Sequence, residues 1–277
     1  MTFPKEEQRR RAVELRALHD GPGIFVVPNC WDVISARVYE EAGFGAVATS
    51  SAALANALGF PDGYALDTQL HLATLTRIAA ALRCPLSADV ENGYGRTADD
   101  VAAFVGALVE TGVAGFNLED ARSATELFDL DEAIARLRAA RAAAPGLFLN
   151  ARTDIFLNDI GDEATRLERT IERLRAFADA GADGVFVPGV TDEATIGTLA
   201  AAVPLPLNVL AGPEAPPAAK LQELGVRRVS VGSWPMRRIL GVLRGIAREL
   251  REAGTFGFTR EETMAYAEAN ALVGAPR

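Results

Sequence analysis

The sequence predicts an α/β protein of the (β/α)8 class, a TIM barrel. Three observations carry that prediction. Eight short β-branched or apolar runs alternate with longer segments of helical period across 277 residues. No G-x-G-x-x-G turn follows the first run, which argues against a doubly wound sheet. Polar residues follow many of the runs rather than one or two, as expected where functional groups gather at the C-terminal ends of barrel strands.

The predicted strands are residues 24–28, 46–49, 86–90, 115–118, 147–151, 184–188, 206–210 and 228–231. Between them lie Ala/Leu/Arg/Glu-rich stretches such as DEAIARLRAARAAA (131–144) and ERTIERLRAFADAGA (168–182). Their apolar residues recur at helical spacing. Gly43, Gly112, Gly181 and Gly225 each stand just before a strand. They fit the left-handed residue that ends a helix. No Pro/Ser-rich linker divides the chain, so residues 1–277 read as one domain, with 236–277 as a helical extension. MRRILGVLRGIARELREAG is amphipathic, and Thr259 with Glu262 has capping-box spacing for one more helix. That surplus helix is expected to pack on another element or on a neighbouring subunit.

Composition removes several function classes. A formal net charge of -9 and the absence of a Lys/Arg-rich block with aromatics argue against nucleic acid as a partner. Arg9-Arg10-Arg11 follows Glu6-Glu7 and reads as a solvated helix face. No stretch reaches the roughly 18 uninterrupted apolar residues of a membrane span, and MTFPKEEQRRR lacks a signal-peptide core. A soluble, cytoplasmic protein is the expectation. Cys30 and Cys84 make neither a disulfide framework nor a zinc spacing. Lys5 and Lys220 follow no strand-like run, so Schiff-base chemistry is disfavoured. His19 and His71 fall in helical segments. Any chemistry must run on carboxylates, arginine and a metal.

The strand ends supply those groups. Asn29, Cys30, Trp31 and Asp32 follow the first strand, and Thr49, Ser50 and Ser51 follow the second, with Asp62 further on. Asp89 and Glu91 end the third strand, and Asn117, Glu119 and Asp120 the fourth. Asn150, Arg152 and Asp154 lie on the fifth, Asn208 on the seventh, and Ser230, Gly232 and Ser233 on the eighth. Asp62, Asp89, Glu91 and Glu119 would converge on one mouth. Four crowded carboxylates need compensation, and an all-oxygen set suits Mg²⁺, or Mn²⁺, held largely through water. Strand alternation would turn Asp89 and Glu91 to the same side. Each motif alone has a plainer reading, as a surface acid, a helix cap or a local ion pair. Their coincidence in order at strand ends is what points to a site.

Those residues resemble the isocitrate lyase/phosphoenolpyruvate mutase superfamily over about residues 28–234. The carrying segments are PNCWDVISARVYEEAGFGAVATSS, LGFPD, SADVENGYG, GVAGFNLEDA and LNARTD. The resemblance implies a barrel whose C-terminal helix is exchanged between subunits of a homodimer or homotetramer. It also implies Mg²⁺ at the mouth and a small 2-oxo carboxylate as substrate. By that likeness Asp89 is the direct metal ligand, and Glu91 stands where the family's D-x-D-x-G-Y-G motif has a second Asp. Asp62 and Glu119 belong to the metal surroundings, and Arg152 grips the substrate carboxylate. Ser50, Ser51 and Ala52 form the loop that holds the same acid. Asn208 and Ser233 are expected near the distal end of the ligand, and Trp31 in the binding wall.

Departures from the family narrow the activity. The loop after strand four is ARSATELFDLDEA, shortened and without the Lys-Lys/Arg-Cys-Gly-His of isocitrate and methylisocitrate lyases. Pro188 stands where those lyases have a glutamate. The lysine and asparagine of the phosphonate-cleaving gate loop are also missing. What remains is decarboxylation, hydrolysis or C–C lysis of a 2-oxo acid or substituted malate. A protein that binds or senses a 2-oxo acid such as 2-oxoglutarate or oxalate, having lost its general acid, is the alternative. A metal-dependent aldolase is disfavoured by the lack of strand-end histidines.

Overall fold

A proline splits the strand through which the barrel closes. In the computed structural model, which describes residues 3–63 and 65–273, β1 (Phe25–Val27) and β2 (Asn29–Cys30) flank Pro28. Proline has no N–H to give a ladder, and the strand changes partner there. β1 pairs with β11 (Arg228–Ser230), while β2 pairs with β3 (Val47–Thr49). Asn29 bridges the seam. Its Oδ1 accepts the N–H groups of Val231 and Gly232, each at 2.8 Å, and its Nδ2 donates to the Thr49 carbonyl at 2.7 Å.

From β3 the parallel ladder continues through β4 (Leu86–Asp89), β5 (Gly115–Glu119), β8 (Phe148–Arg152), β9 (Gly184–Val187) and β10 (Leu207–Leu210) to β11. Counting β1 and β2 as one, these are the eight predicted strands in the predicted order. Between β5 and β8, β6 (Ala121–Ser123) and β7 (Glu126–Leu127) form a short antiparallel hairpin. Gly43, Gly112, Gly181 and Gly225 all have φ between 86° and 97°, as expected of helix-ending residues. α1 (Lys5–Asp20) closes the N-terminal end of the barrel, where Ala12 and Leu15 join Val27, Ala46, Ala48 and Phe148 in one apolar cluster.

The C-terminal region departs from expectation in one detail. α10 (Trp234–Arg248) runs on into a π-helical turn over Glu249–Ala253, as one amphipathic segment. The Thr259 hydroxyl, however, does not cap a helix. It donates back to the Phe256 carbonyl inside a 3-10 turn, Gly257–Arg260, and the last helix, α11 (Tyr266–Val273), begins later. The spacing was right for a cap, but the chain preceding it turns too tightly. α11 packs on α2 (Val33–Glu41), with Leu272 buried and its carbonyl accepting from Arg37 Nε at 2.9 Å. Ile239, Leu240, Leu243 and Leu250 are exposed along the segment Trp234–Ala253. Among the described residues, no helix is long and apolar enough to cross a membrane.

Both histidines are buried structural residues. His19 stacks on Phe148 at 3.8 Å, and His71 packs edge-on to Tyr94 at 5.6 Å. Burial lowers the His19 pKa to about 3 and the His71 pKa to about 4. Both are therefore neutral in the native state, while the unfolded chain protonates them near 6.5. Between these values the unfolded state binds more protons, so stability present above about pH 6.5 is lost as pH falls toward 4. Urea unfolding across pH 4–7 is expected to show this loss, and His71→Leu is expected to flatten the slope by roughly 3 kcal/mol in total.

Candidate active site at the barrel mouth

The mouth is assembled from side chains whose strands bring them to the same height. Asp89 ends β4 and is fixed from several sides. Its Oδ2 accepts from Ser51 Oγ at 2.9 Å and Ser51 N at 3.2 Å, and its Oδ1 accepts from Asn117 Nδ2 at 3.4 Å. Its own N–H donates to Thr49 Oγ1. Ser51 opens α3 (Ser51–Ala57), and Ser50 caps that helix by accepting from Ala53 N. The Ser50-Ser51-Ala52 segment is thereby pinned beside the acid.

Arg152, at the end of β8, holds the acids together. Its Nε and Nη2 bind the two Asp154 oxygens at 2.5 and 2.8 Å. Its Nη1 lies 2.9 Å from Glu119 and 3.8 Å from Asp89. Burial alone would disfavour the charged guanidinium, but Asp154, Glu119 and Asp89 outweigh it and raise its pKa well above the usual value. Asp154 is in turn positioned by Asp120, whose Oδ1 accepts the Asp154 N–H and whose Oδ2 pairs with Arg173 at 3.1 Å.

Glu91 reaches the mouth by a different route from strand alternation. β4 stops at Asp89, and Glu91 has φ 50° in a turn that also holds Tyr94 at φ 55° and Gly93 at φ 84°. Non-glycine residues rarely adopt such angles, and they concentrate at functional sites. The turn is locked by Arg136, which donates to the carbonyls of Asn92 and Gly95, and by Asn92, which donates to the Ala121 carbonyl. A Cβ on Gly95 would lie 2.6 Å from Asp100 Cβ, so only glycine fits there. Tyr94 Oη donates to Glu91 Oε1 at 3.3 Å.

Two adjoining cavities share Ser51, Asp62, Arg152 and Leu157. The larger, about 310 Å³, adds Asp89, Ser50, Ala52, Asn117, Phe186, Trp234 and Arg237 to its wall. The smaller, about 130 Å³, adds Glu91, Glu119, Asp154 and Ser123. The structure thus brings Asp62, Asp89, Glu91, Glu119, Arg152, Ser50, Ser51 and Ala52 to one mouth. Ser233 is on the wall as well. Trp31 and Asn208 are elsewhere. Trp31 packs against the hydrophobic core, and Asn208 is buried below the floor, its Oδ1 accepting from Ser230 Oγ. Cys30 is buried in the core, and burial raises its thiol pKa, which removes it from acid/base chemistry. Trp234 and Arg237, at the start of α10, are wall residues that strand-end reasoning did not reach.

The donor set fits a hydrated divalent cation. It is all oxygen, and the Asp62 carboxyl is pushed above its usual pKa by desolvation in the mouth and by the Asp89 charge, which a cation would relieve. Among the described residues no three His, Cys, Asp or Glu side chains converge closely enough to chelate an ion directly. A divalent cation bound here would therefore take few direct protein contacts and complete its shell with water.

The profile of the phosphoenolpyruvate phosphomutase family matches residues 15–251. The chain belongs to this family. Its superfamily is the isocitrate lyase/phosphoenolpyruvate mutase one. The oxaloacetate decarboxylase of Pseudomonas aeruginosa is 31% identical over 260 residues, covering 89% of this chain and 88% of that protein. The structure of oxaloacetate acetylhydrolase with its product oxalate superposes with a TM-score of 0.85 at 27% identity, over 96% and 95% of the two chains. That of phosphonopyruvate hydrolase with oxalate and Mg²⁺ gives 0.83 at 25% identity, over 95% of each. The chain is an enzyme of this superfamily, of the lyase and decarboxylase type.

Replacing Arg152 by Lys removes the planar fork that spans Asp154 and Glu119. Calorimetry with oxalate is expected to show affinity at least about tenfold weaker in Arg152→Lys than in the wild type. Unchanged affinity would refute the carboxylate contact that the family resemblance implies.

Proposed function

We propose that this enzyme cleaves a carbon–carbon bond in a small 2-oxo acid or substituted malate, with Mg²⁺ or Mn²⁺ at the barrel mouth. The carrying observation is the convergence of Asp62, Asp89, Ser50-Ser51-Ala52 and Arg152 on one cavity. Asp89 would hold the ion directly, and Asp62, Glu91 and Glu119 would hold its waters. When bound, the ion supplies Lewis-acid stabilisation of negative charge on the keto oxygen. Arg152 orients the adjacent carboxylate, and its positive charge is preorganised by Asp154 and Glu119. Phe186 and Leu157 give that end of the cavity an apolar lining.

The far side of the cavity favours a second carboxylate on the substrate. Arg237 lies 4.2 Å over the Trp234 ring and has no ion pair among the described residues. Arg152 is already surrounded by acids, so Arg237 is the cation available to a distal anion. This makes a four-carbon 2-oxo dicarboxylate the favoured substrate, and oxaloacetate, the named substrate of two of the relatives above, the first to test. The two reactions of such a substrate place charge differently. Decarboxylation discharges the distal carboxylate as CO₂. Hydrolytic cleavage between C2 and C3, in which water adds to the C2 carbonyl and the bond breaks to oxalate and acetate, instead builds charge toward it, where Arg237 stabilises it.

A second reading rests on one observation. Among the described residues no His, Cys or Lys lines either cavity, so proton transfer falls to the carboxyl groups or to water. A binding or sensing protein for oxalate or 2-oxoglutarate would have the same wall. The exposed apolar face of Trp234–Ala253 further suggests a homodimer or homotetramer joined through that segment, measurable by light scattering.

The deciding assay incubates the protein and Mg²⁺ with oxaloacetate, phosphonopyruvate, dimethylmalate and methylisocitrate, and follows pyruvate, oxalate and CO₂. Turnover on oxaloacetate that chelation and Asp89→Ala abolish is expected. Arg237→Gln should raise KM for oxaloacetate about tenfold or more while leaving oxalate affinity little changed. Tight oxalate binding with no turnover across the panel would establish the sensor instead.

A further inference from the structure

Beneath the mouth lies a second arginine that the reading above does not use. Arg228, on β11, is wholly buried. Ser230, two residues on and on the same side of the strand, lines the cavity, so Arg228 occupies the layer below. Its Nη2 donates to Ser87 Oγ at 3.2 Å, a bond that crosses the barrel interior, since β11 and β4 are not neighbours in the sheet. Its Nε and Nη1 have no hydrogen-bond partner among the described residues. Neither does the Nδ2 of Asn208, its register partner on β10.

A buried guanidinium with two unmatched donors is costly unless something nearby benefits from its charge. His19, which also feels Arg228, is neutral and offers no compensation. Asp89 is the acid whose charge acts on Arg228. The two are linked along β4, where Ser87 binds Arg228 and Asp89 stands two residues further on. Burial lowers the Arg228 pKa to about 10, which leaves it charged at neutral pH.

We propose that Arg228 is a positioning residue whose fixed charge below the floor weakens cation binding at Asp89 and strengthens the hold on the anionic 2-oxo acid. In effect it sets the balance between metal and substrate affinity. The inference rests on the metal-dependent reading above.

The test measures Mn²⁺ affinity by electron paramagnetic resonance and oxalate affinity at saturating Mn²⁺ by calorimetry, with thermal unfolding to verify the fold. Arg228→Met removes the charge and nearly keeps the volume. It is expected to bind Mn²⁺ about tenfold more tightly or better, and oxalate correspondingly less tightly. Arg228→Lys should return both affinities toward the wild type. Asn208→Asp neutralises the same charge from the neighbouring strand without removing the arginine. It should shift both affinities as Arg228→Met does and raise the unfolding temperature. That variant decides the matter if Arg228→Met does not fold. A purely structural arginine would change stability alone, so a folded variant with unchanged or weaker Mn²⁺ affinity overturns the proposal. Failure of the wild type to bind Mn²⁺ would overturn the metal-dependent reading itself.

Discussion

The arrangement at the barrel mouth depends on the pairing of Arg152 with the acids around it. Three carboxylates, from Asp89, Glu119 and Asp154, lie within ion-pair distance of one guanidinium. Without it, those acids would repel one another and their strand ends would splay. With it, they are held together in a partly desolvated place, yet one positive charge does not balance three carboxylates. The remaining negative charge is the physical reason the mouth suits a divalent cation, and a bound cation in turn draws an anionic substrate.

Rigidity around this pairing comes from groups outside the ion-pair cluster itself. Asn29 ties the seam between the first and last strands. Asp120 and Arg173 fix the backbone of Asp154 from behind. Arg136 clamps the turn that carries Glu91. Such supports fix the positions of the charged groups at the mouth, which is what preorganised electrostatic stabilisation requires. The short β6–β7 hairpin, tied to α6 (Leu130–Ala143) by the Arg122–Glu132 ion pair, borders the smaller cavity through Ser123.

Much of this was legible in the sequence because barrel periodicity is local. Each strand is a short apolar run, each helix an amphipathic stretch, and Gly43, Gly112, Gly181 and Gly225 mark the joints. Asp89, Glu119 and Arg152 could be placed because they sit on or directly after strands. Glu91 was placed for the wrong local reason: a left-handed turn, not alternation, delivers it. Trp31 and Asn208 are not among the wall residues, because nearness to a strand end does not say which way a side chain points. Arg237 lies a helical turn beyond its strand, where its Trp234 neighbour and the G-S-W-P-M-R spacing were the available signals. Arg228 has no local signal at all, since an arginine in a strand reads as an edge or surface residue until the barrel closes around it.

The central claim is that one hydrated divalent ion at this mouth chelates a 2-oxo acid. A crystal grown with Mn²⁺ and oxalate, with data collected at the manganese absorption edge, tests it most directly. The account predicts one anomalous peak at the mouth, in contact with Asp89 and near Asp62, with two oxalate oxygens on the ion and Arg152 on the oxalate. Oxalate bound in the cavity with no anomalous peak beside it, or a peak away from Asp89, would contradict it.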